Sequence, residues 1–247
     1  MKRLLSLFLL VIPFTLFSQR DSLYIKTSIF DVMYSEKLKE PLWVKYLVKC
    51  PEGSASRSGM DFYTNDSVIT STNVDYAHNE YDKGHMAPDG DQSWSQQVEY
   101  ESFLMTNMAP QAGSLNRGIW KLLETNVRGW TVQLNQVYTV YVGGIYGATN
   151  KKIGNGVVVP HGYYKIVINH GTNEVAGWMF PHTEPYPNLG TDLTKFRVGV
   201  ATIEGTAGVK FAFPTNAKEI PVGAEWPIDY AALTKAKRAK CGANAQE

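Results

Sequence analysis

Residues 81–91 read YDKGHMAPDGD: an acid, a base, a glycine and a histidine in succession, then a proline among turn-forming residues. Gly84, Pro88 and Gly90 interrupt both a regular core helix and a central strand. The stretch is therefore expected to be a loop whose charged groups meet partners from elsewhere in the chain.

The nearest partners lie downstream. SLNRGIWKLLETNVRGW (114–130) sets Leu115, Ile119, Leu122, Leu123 and Val127 at helical spacing. On one continuous helix Asn116, Trp120 and Glu124, each four residues apart, form a single stripe. An amide and a carboxylate so placed offer the hard oxygens that a hydrated Mg²⁺ takes. Taken alone, an N-cap asparagine and a solvated glutamate are the simpler reading. A lone loop histidine is likewise ordinarily structural. Beside Lys83, and shortly before the asparagine-bearing segment, His85 gains another reading. An imidazole of unperturbed pKa ~6.5 is a general base, Lys83 holds an anionic group, and a hydrated cation neutralises charge. Together these parts suit phosphodiester hydrolysis.

Further outward, PLWVKYLVKC (41–50), NQVYTVYVGGIYG (135–147), VVVPHGYYKIVIN (157–169) and EVAGWMFPH (174–182) read as strands, and MDFYTNDSVIT (60–70) as a weaker extended segment. SFLMTNMAP (102–110) reads as a short strand ending at Pro110, and DYAALTKAKRAKCG (229–242) as a short basic helix. The pattern predicts an α+β fold with a mixed, mainly antiparallel central sheet flanked by helices. No repeat, low-complexity tract or linker divides the chain, so residues 19–247 are expected to form a single domain.

At the N-terminus, two basic residues precede an apolar run from Leu4 to Phe17 and then Ser18-Gln19. This is the layout of a secretory signal peptide over residues 1–18. The run is shorter than the ~20 residues a spanning helix needs, and no other membrane span is expected. Export places the protein in the periplasm or outside the cell. Removing residues 1–18 lowers the formal charge from +1 to −1, because Lys2 and Arg3 leave and no acid does. A nucleic-acid partner must then be held by a local basic patch. The two cysteines, Cys50 and Cys241, are compatible with a disulfide in an exported chain and equally with two unrelated thiols.

Taken together, YDKGHMAP and TNMAPQAGSLNRGIWKLLE resemble the active-site signature of the DNA/RNA non-specific endonucleases, the ββα-metal (His-Me finger) family that includes endonuclease G. SGMDFYTND before the motif, and VYVGGIYG, VVVPHGYYKIVI and ATIEGTAGVKFAF after it, extend the resemblance over about residues 55–215. Several motifs in the right order are more specific than any one of them. The resemblance implies a ββα-metal active-site motif, a Mg²⁺ cofactor with Mn²⁺ as its substitute, and cleavage of DNA and RNA through phosphate contacts to 5′-phosphate and 3′-hydroxyl ends. It implies His85 as general base and Asn116 as the direct protein ligand of the metal. Glu124 would act on the metal through water, and Asn107 would bond near the histidine and the scissile phosphate. Asp82 would pin the loop. Lys83 stands where the family has arginine, which keeps the charge but loses the planar fork that grips phosphate twice.

His78 fits no helix face with His85, and packing or surface roles suit His161 and His182 better. Arg117, Lys121 and Arg128 are either a phosphate-binding face or an ordinary solvated one. The rival functions are a phosphodiesterase for small or non-nucleic substrates and a catalytically silent binding protein on the same fold. A homodimer and a protein inhibitor stay open.

Overall fold

The computed structural model describes residues 22–50, 55–148 and 150–231. The expected signal peptide, Cys241 with its pairing to Cys50, and most of the expected basic helix at 229–242 lie outside the described residues. Three strands open the fold: β1 (Leu23–Lys26), β2 (Phe30–Ser35) and β3 (Glu40–Val48). β4 (Tyr81–His85), helix α1 (Gln96–Glu101) and β5 (Met108–Ala112) follow. A broken helix comes next, as one turn α2 (Gly113–Leu115), a kinked segment (Asn116–Trp120) and α3 (Lys121–Gln133). Then come β6 (Tyr138–Ile145), the short pair β7 (Lys152–Ile153) and β8 (Val157–Val158), β9 (Gly162–Asn169) and β10 (Glu174–Pro181). β11 (Arg197–Val198), α4 (Val200–Ala207) and β12 (Lys218–Glu219) complete the described elements.

The main sheet runs β1-β2-β3-β6-β9-β10-β11 with antiparallel neighbours, and β12 adds a parallel pairing to β10. β9 sits centrally between β6 and β10 and is buried along its whole length. Alternation sends Tyr163 and Val167 to one face, where they pack with Ile119, Trp120, Leu123, Val127 and Trp130 of the broken helix. Tyr164, Ile166 and Ile168 face the other way, onto Val200, Ile203 and Ala207 of α4. Cover on both sides explains why this antiparallel strand is a near-continuous apolar run. The expected α+β architecture, a mainly antiparallel sheet with helices on both faces, is what forms. No helix among the described residues is long and apolar enough to cross a membrane.

Several local expectations change. Residues 81–85 are a strand and not a loop. Among the described residues they pair only with β5, as a two-stranded ribbon outside the main sheet. β5 begins at Met108 and runs through Pro110 to Ala112, beyond the expected stop. A proline is tolerated there because a two-strand ribbon leaves each strand an unpaired edge. Gly84 is required inside β4, since a Cβ there would overlap the side chain of Gln111. Residues 60–70 form no strand, only an isolated bridge between Tyr63 and Leu104.

Candidate active site

β4, β5 and the broken helix build a cleft of about 390 Å³ against the sheet. His85, Lys83, Asp82, Asn116 and Glu124 all line it. Asn107, the remaining expected site residue, does not.

Lys83 and His85 are two apart on β4 and share the face that meets Phe62. The Lys83 ammonium stands 4.5 Å from the Phe62 ring centre and donates to Asn73 Oδ1 at 2.8 Å. The His85 ring packs against Phe62 and edge-on to Phe103, with centroids 5.6 and 5.1 Å away. His85 Nε2 is buried and has no hydrogen-bond partner among the described residues. This apolar packing pushes the imidazole pKa down to about 4, against the attraction of Asp89, with Arg57 adding to the fall. His85 is therefore neutral near pH 7, with a lone pair to offer.

Asn107 has a different place from the one expected. It is fully buried, and its Oδ1 accepts from Ala87 N while its Nδ2 donates to the carbonyls of Ala87 and Ser102, all at 2.8 Å. Its own carbonyl accepts from Met86 N. With its amide fully committed, Asn107 fixes the course of the chain leaving His85. It has no group left to reach a phosphate.

Asp82 points from β4 to the helix. Its Oδ2 accepts from Asn116 Nδ2 at 3.0 Å, and both its oxygens accept from Arg117 Nη1, at 2.7 and 2.9 Å. It thus pins the start of the helix to the ribbon, and not merely its own segment. A carboxylate can only accept. Asp82 therefore takes the nitrogen end of the Asn116 amide and leaves Oδ1 as the end free for another partner.

The expected straight stripe does not form. Residues 116–120 kink the helix, with non-helical backbone at Gly118. Asn116 and Glu124 face the cleft, while Trp120 is turned into the core against Tyr163 and Phe180. Glu124 Oε1 accepts from Lys165 Nζ at 3.3 Å. Burial pushes Glu124 up and Lys165 down, each opposed by the charge of the other. Arg128, which also lines the cleft, pairs with the buried Asp91 at 2.6 Å.

Sequence reasoning misses four charged residues of this region. Arg57 and Asp89 line the cleft and pair at 3.1 Å. Arg57 sits in a serine- and glycine-rich run that carries no pattern. Asp91 looks like a turn residue. Lys165 alone carries a legible signal, as a single charge inside the apolar run of a central strand. His182 is structural, as expected: Nε2 accepts from Ala112 N and Nδ1 bonds the Pro160 carbonyl, at 2.8 and 2.7 Å.

Residues 15–218 match the family described as DNA/RNA non-specific endonuclease. Nuclease C1 of Cunninghamella echinulata var. echinulata is 32% identical over 157 residues, covering 59% of this chain and 62% of that protein. Mitochondrial endonuclease G of Bos taurus is 30% identical over 198 residues, covering 72% of this chain and 65% of that protein. The chain thus spans somewhat under two thirds of the length of these curated relatives. Among solved structures, the crystal structure of an EndoG/EndoGI complex aligns with a TM-score of 0.69 at 27% identity, covering 76% of this chain and 84% of that one. The family match extends over most of the residues, and the fold match includes a protein of that kind. This chain belongs to the DNA/RNA non-specific endonuclease family.

Proposed function

We propose that this protein is an exported endonuclease that hydrolyses DNA and RNA phosphodiester bonds with little sequence or sugar preference, as one domain over residues 19–247. One observation carries the reading. The ring nitrogen Nδ1 of a neutral histidine, which is not sealed off as Nε2 is, and an asparagine oxygen left free by Asp82 line one cleft with several cations.

The donor set fits a hard divalent ion that keeps most of its waters. Asn116 Oδ1 would hold it directly, and Glu124 would hold its water shell. Bound there, Mg²⁺ (or Mn²⁺ in its place) supplies charge neutralisation at the phosphate and at the departing oxygen. The chain's own residues do the rest. Lys83 and Arg57 take the non-bridging phosphate oxygens and hold the backbone in register without reading bases. His85 Nδ1 accepts a proton from the attacking water as its oxygen bonds to phosphorus, the P–O3′ bond breaks, and O3′ takes up a proton from solvent water to leave as the hydroxyl. Phe62 and Phe103 keep the imidazole neutral and fixed for that transfer. Asn107 keeps the chain after His85 in place.

The test is cleavage of plasmid DNA and of a structured RNA by the protein lacking residues 1–18, in Mg²⁺ or EDTA, beside His85→Ala. Both polymers should be degraded only with metal, and the variant should lose at least about 10²-fold in rate, the usual worth of a general base. Activity surviving in His85→Ala would place the base elsewhere. Cleavage confined to small diesters would overturn the polymer reading.

A further inference from the structure

Lys165 is a costly residue for its position. It lies midway along the central strand β9, opposite Val142 of β6 and Trp178 of β10, and is 0% exposed. Burying an ammonium in such a place is unfavourable unless it is paired. Its partners are two residues of the helix that carries the site: Glu124, through the 3.3 Å bond, and the Trp120 ring, whose centre is 4.2 Å from Nζ. The other cation close by, the half-buried Arg128, is paired with Asp91.

The bond divides the Glu124 carboxylate by function. Oε1 is taken by Lys165. Oε2 carries no hydrogen bond among the described residues and is not sealed from the cleft that Glu124 lines. A carboxylate with one oxygen anchored from behind loses its freedom about the terminal torsion, which is otherwise broad. The other oxygen is then aimed one way.

We propose that Lys165 is a positioning residue of the nuclease site: it reaches from the central strand through the core and fixes the Glu124 carboxylate so that Oε2 faces the water shell of the metal. It touches neither substrate nor metal. This inference rests on the reading of Glu124 given above.

The test uses Mn²⁺ as the probe, with its affinity for the protein measured by electron paramagnetic resonance beside kcat and KM on plasmid DNA. Lys165→Met keeps a straight side chain of similar bulk and removes the anchor. Partners that orient metal-binding groups cost about 10- to 100-fold in metal affinity when removed, and that loss is expected here. It should come with a fall in kcat and a KM for DNA within about threefold of wild type, because substrate contacts are untouched. Since the effect passes through Glu124, Glu124→Gln/Lys165→Met should bind Mn²⁺ no more weakly than Glu124→Gln alone.

Wild-type Mn²⁺ affinity in folded Lys165→Met, or a further loss in the double variant, would overturn the proposal. If Lys165→Met does not fold, Glu124→Gln compared with the neutral double variant decides alone: equal affinity supports the proposal and additional loss overturns it. Glu124→Gln with wild-type affinity and activity would instead refute the role of Glu124, and with it this inference. A weakened Glu124→Gln beside an unaffected Lys165→Met refutes the inference only.

Discussion

Asp82 is the residue whose removal should separate stability from activity most cleanly. Its carboxylate holds Arg117 with two bonds and the Asn116 amide with one. The Arg117 side chain is 71% exposed, and a pair so open to water is worth about 0–1 kcal/mol of stability. The Asn116 bond is less exposed and charge-assisted, and bonds of that kind are worth about 1.5–3 kcal/mol. Most of that energy is orientational, because it selects the amide rotamer that presents Oδ1. Asp82→Ala should lower unfolding free energy by no more than about 4 kcal/mol on these figures. If the lost orientation energy falls wholly on the transition state, the rate should drop about 10- to 100-fold at roughly 1.4 kcal/mol per decade. Asp82→Asn retains a carbonyl that can still accept from Asn116 and should fall in between. The assay pairs initial rates of supercoiled-plasmid nicking with urea unfolding of the same preparations. An Asp82→Ala rate within threefold of wild type would refute the argument that Asp82 aims Asn116. So would an activity loss fully accounted for by unfolded protein.

Two further predictions concern pH. With His85 held at about 4 by burial, kcat/KM should stay level as pH falls past 6.5 and decline only as the imidazole protonates near its folded value. A limb near 6.5 in the rate profile would mean that the ring is solvated. The same depressed pKa makes the His85 contribution to stability complete above 6.5 and lost as pH falls towards 4. Glu40 acts in the opposite sense. It is fully buried, with only a 3.5 Å contact from the Tyr146 hydroxyl and no partner for Oε1 among the described residues. Burial holds its pKa well above the ordinary 4.5. The fold accepts the neutral acid, so the contribution of Glu40 is complete below the unfolded pKa and is lost as pH rises through the folded one. Glu40→Gln imitates the neutral acid. Its stability relative to wild type should improve steadily from pH 4.5 to pH 8 in urea unfolding, and a difference independent of pH would show that Glu40 is already ionised.

What the sequence makes legible follows the distance over which its signals act. The strands β3, β6, β9 and β10 announce themselves because each buries β-branched and aromatic residues within a few positions. The helix at 113–133 does so through its apolar spacing. β1 and β2 do not, since Asp31 and polar neighbours blunt the alternation. β4 is hidden because Gly84 looks like a breaker until Gln111 is seen packed against it. At the site, His85, Lys83, Asn116 and Glu124 are legible as chemistry. The role of Asn107 is not, because only the folded chain brings Ala87 and Ser102 to its amide. Arg57 and Lys165 lie far from the motif along the chain; the proximity of Arg57 leaves no local trace, and that of Lys165 only the single charge inside an apolar strand.

The kink at Gly118 has a geometric consequence of its own. On a regular helix, at roughly 100° per residue, positions eight apart such as Asn116 and Glu124 diverge by roughly 80°. The non-helical backbone at Gly118 breaks that count, and Asn116 and Glu124 both line the cleft while Trp120 between them is buried. The kink thus lets one helical segment seat an indole in the interior while two polar groups, flanking it in sequence, serve the same cavity.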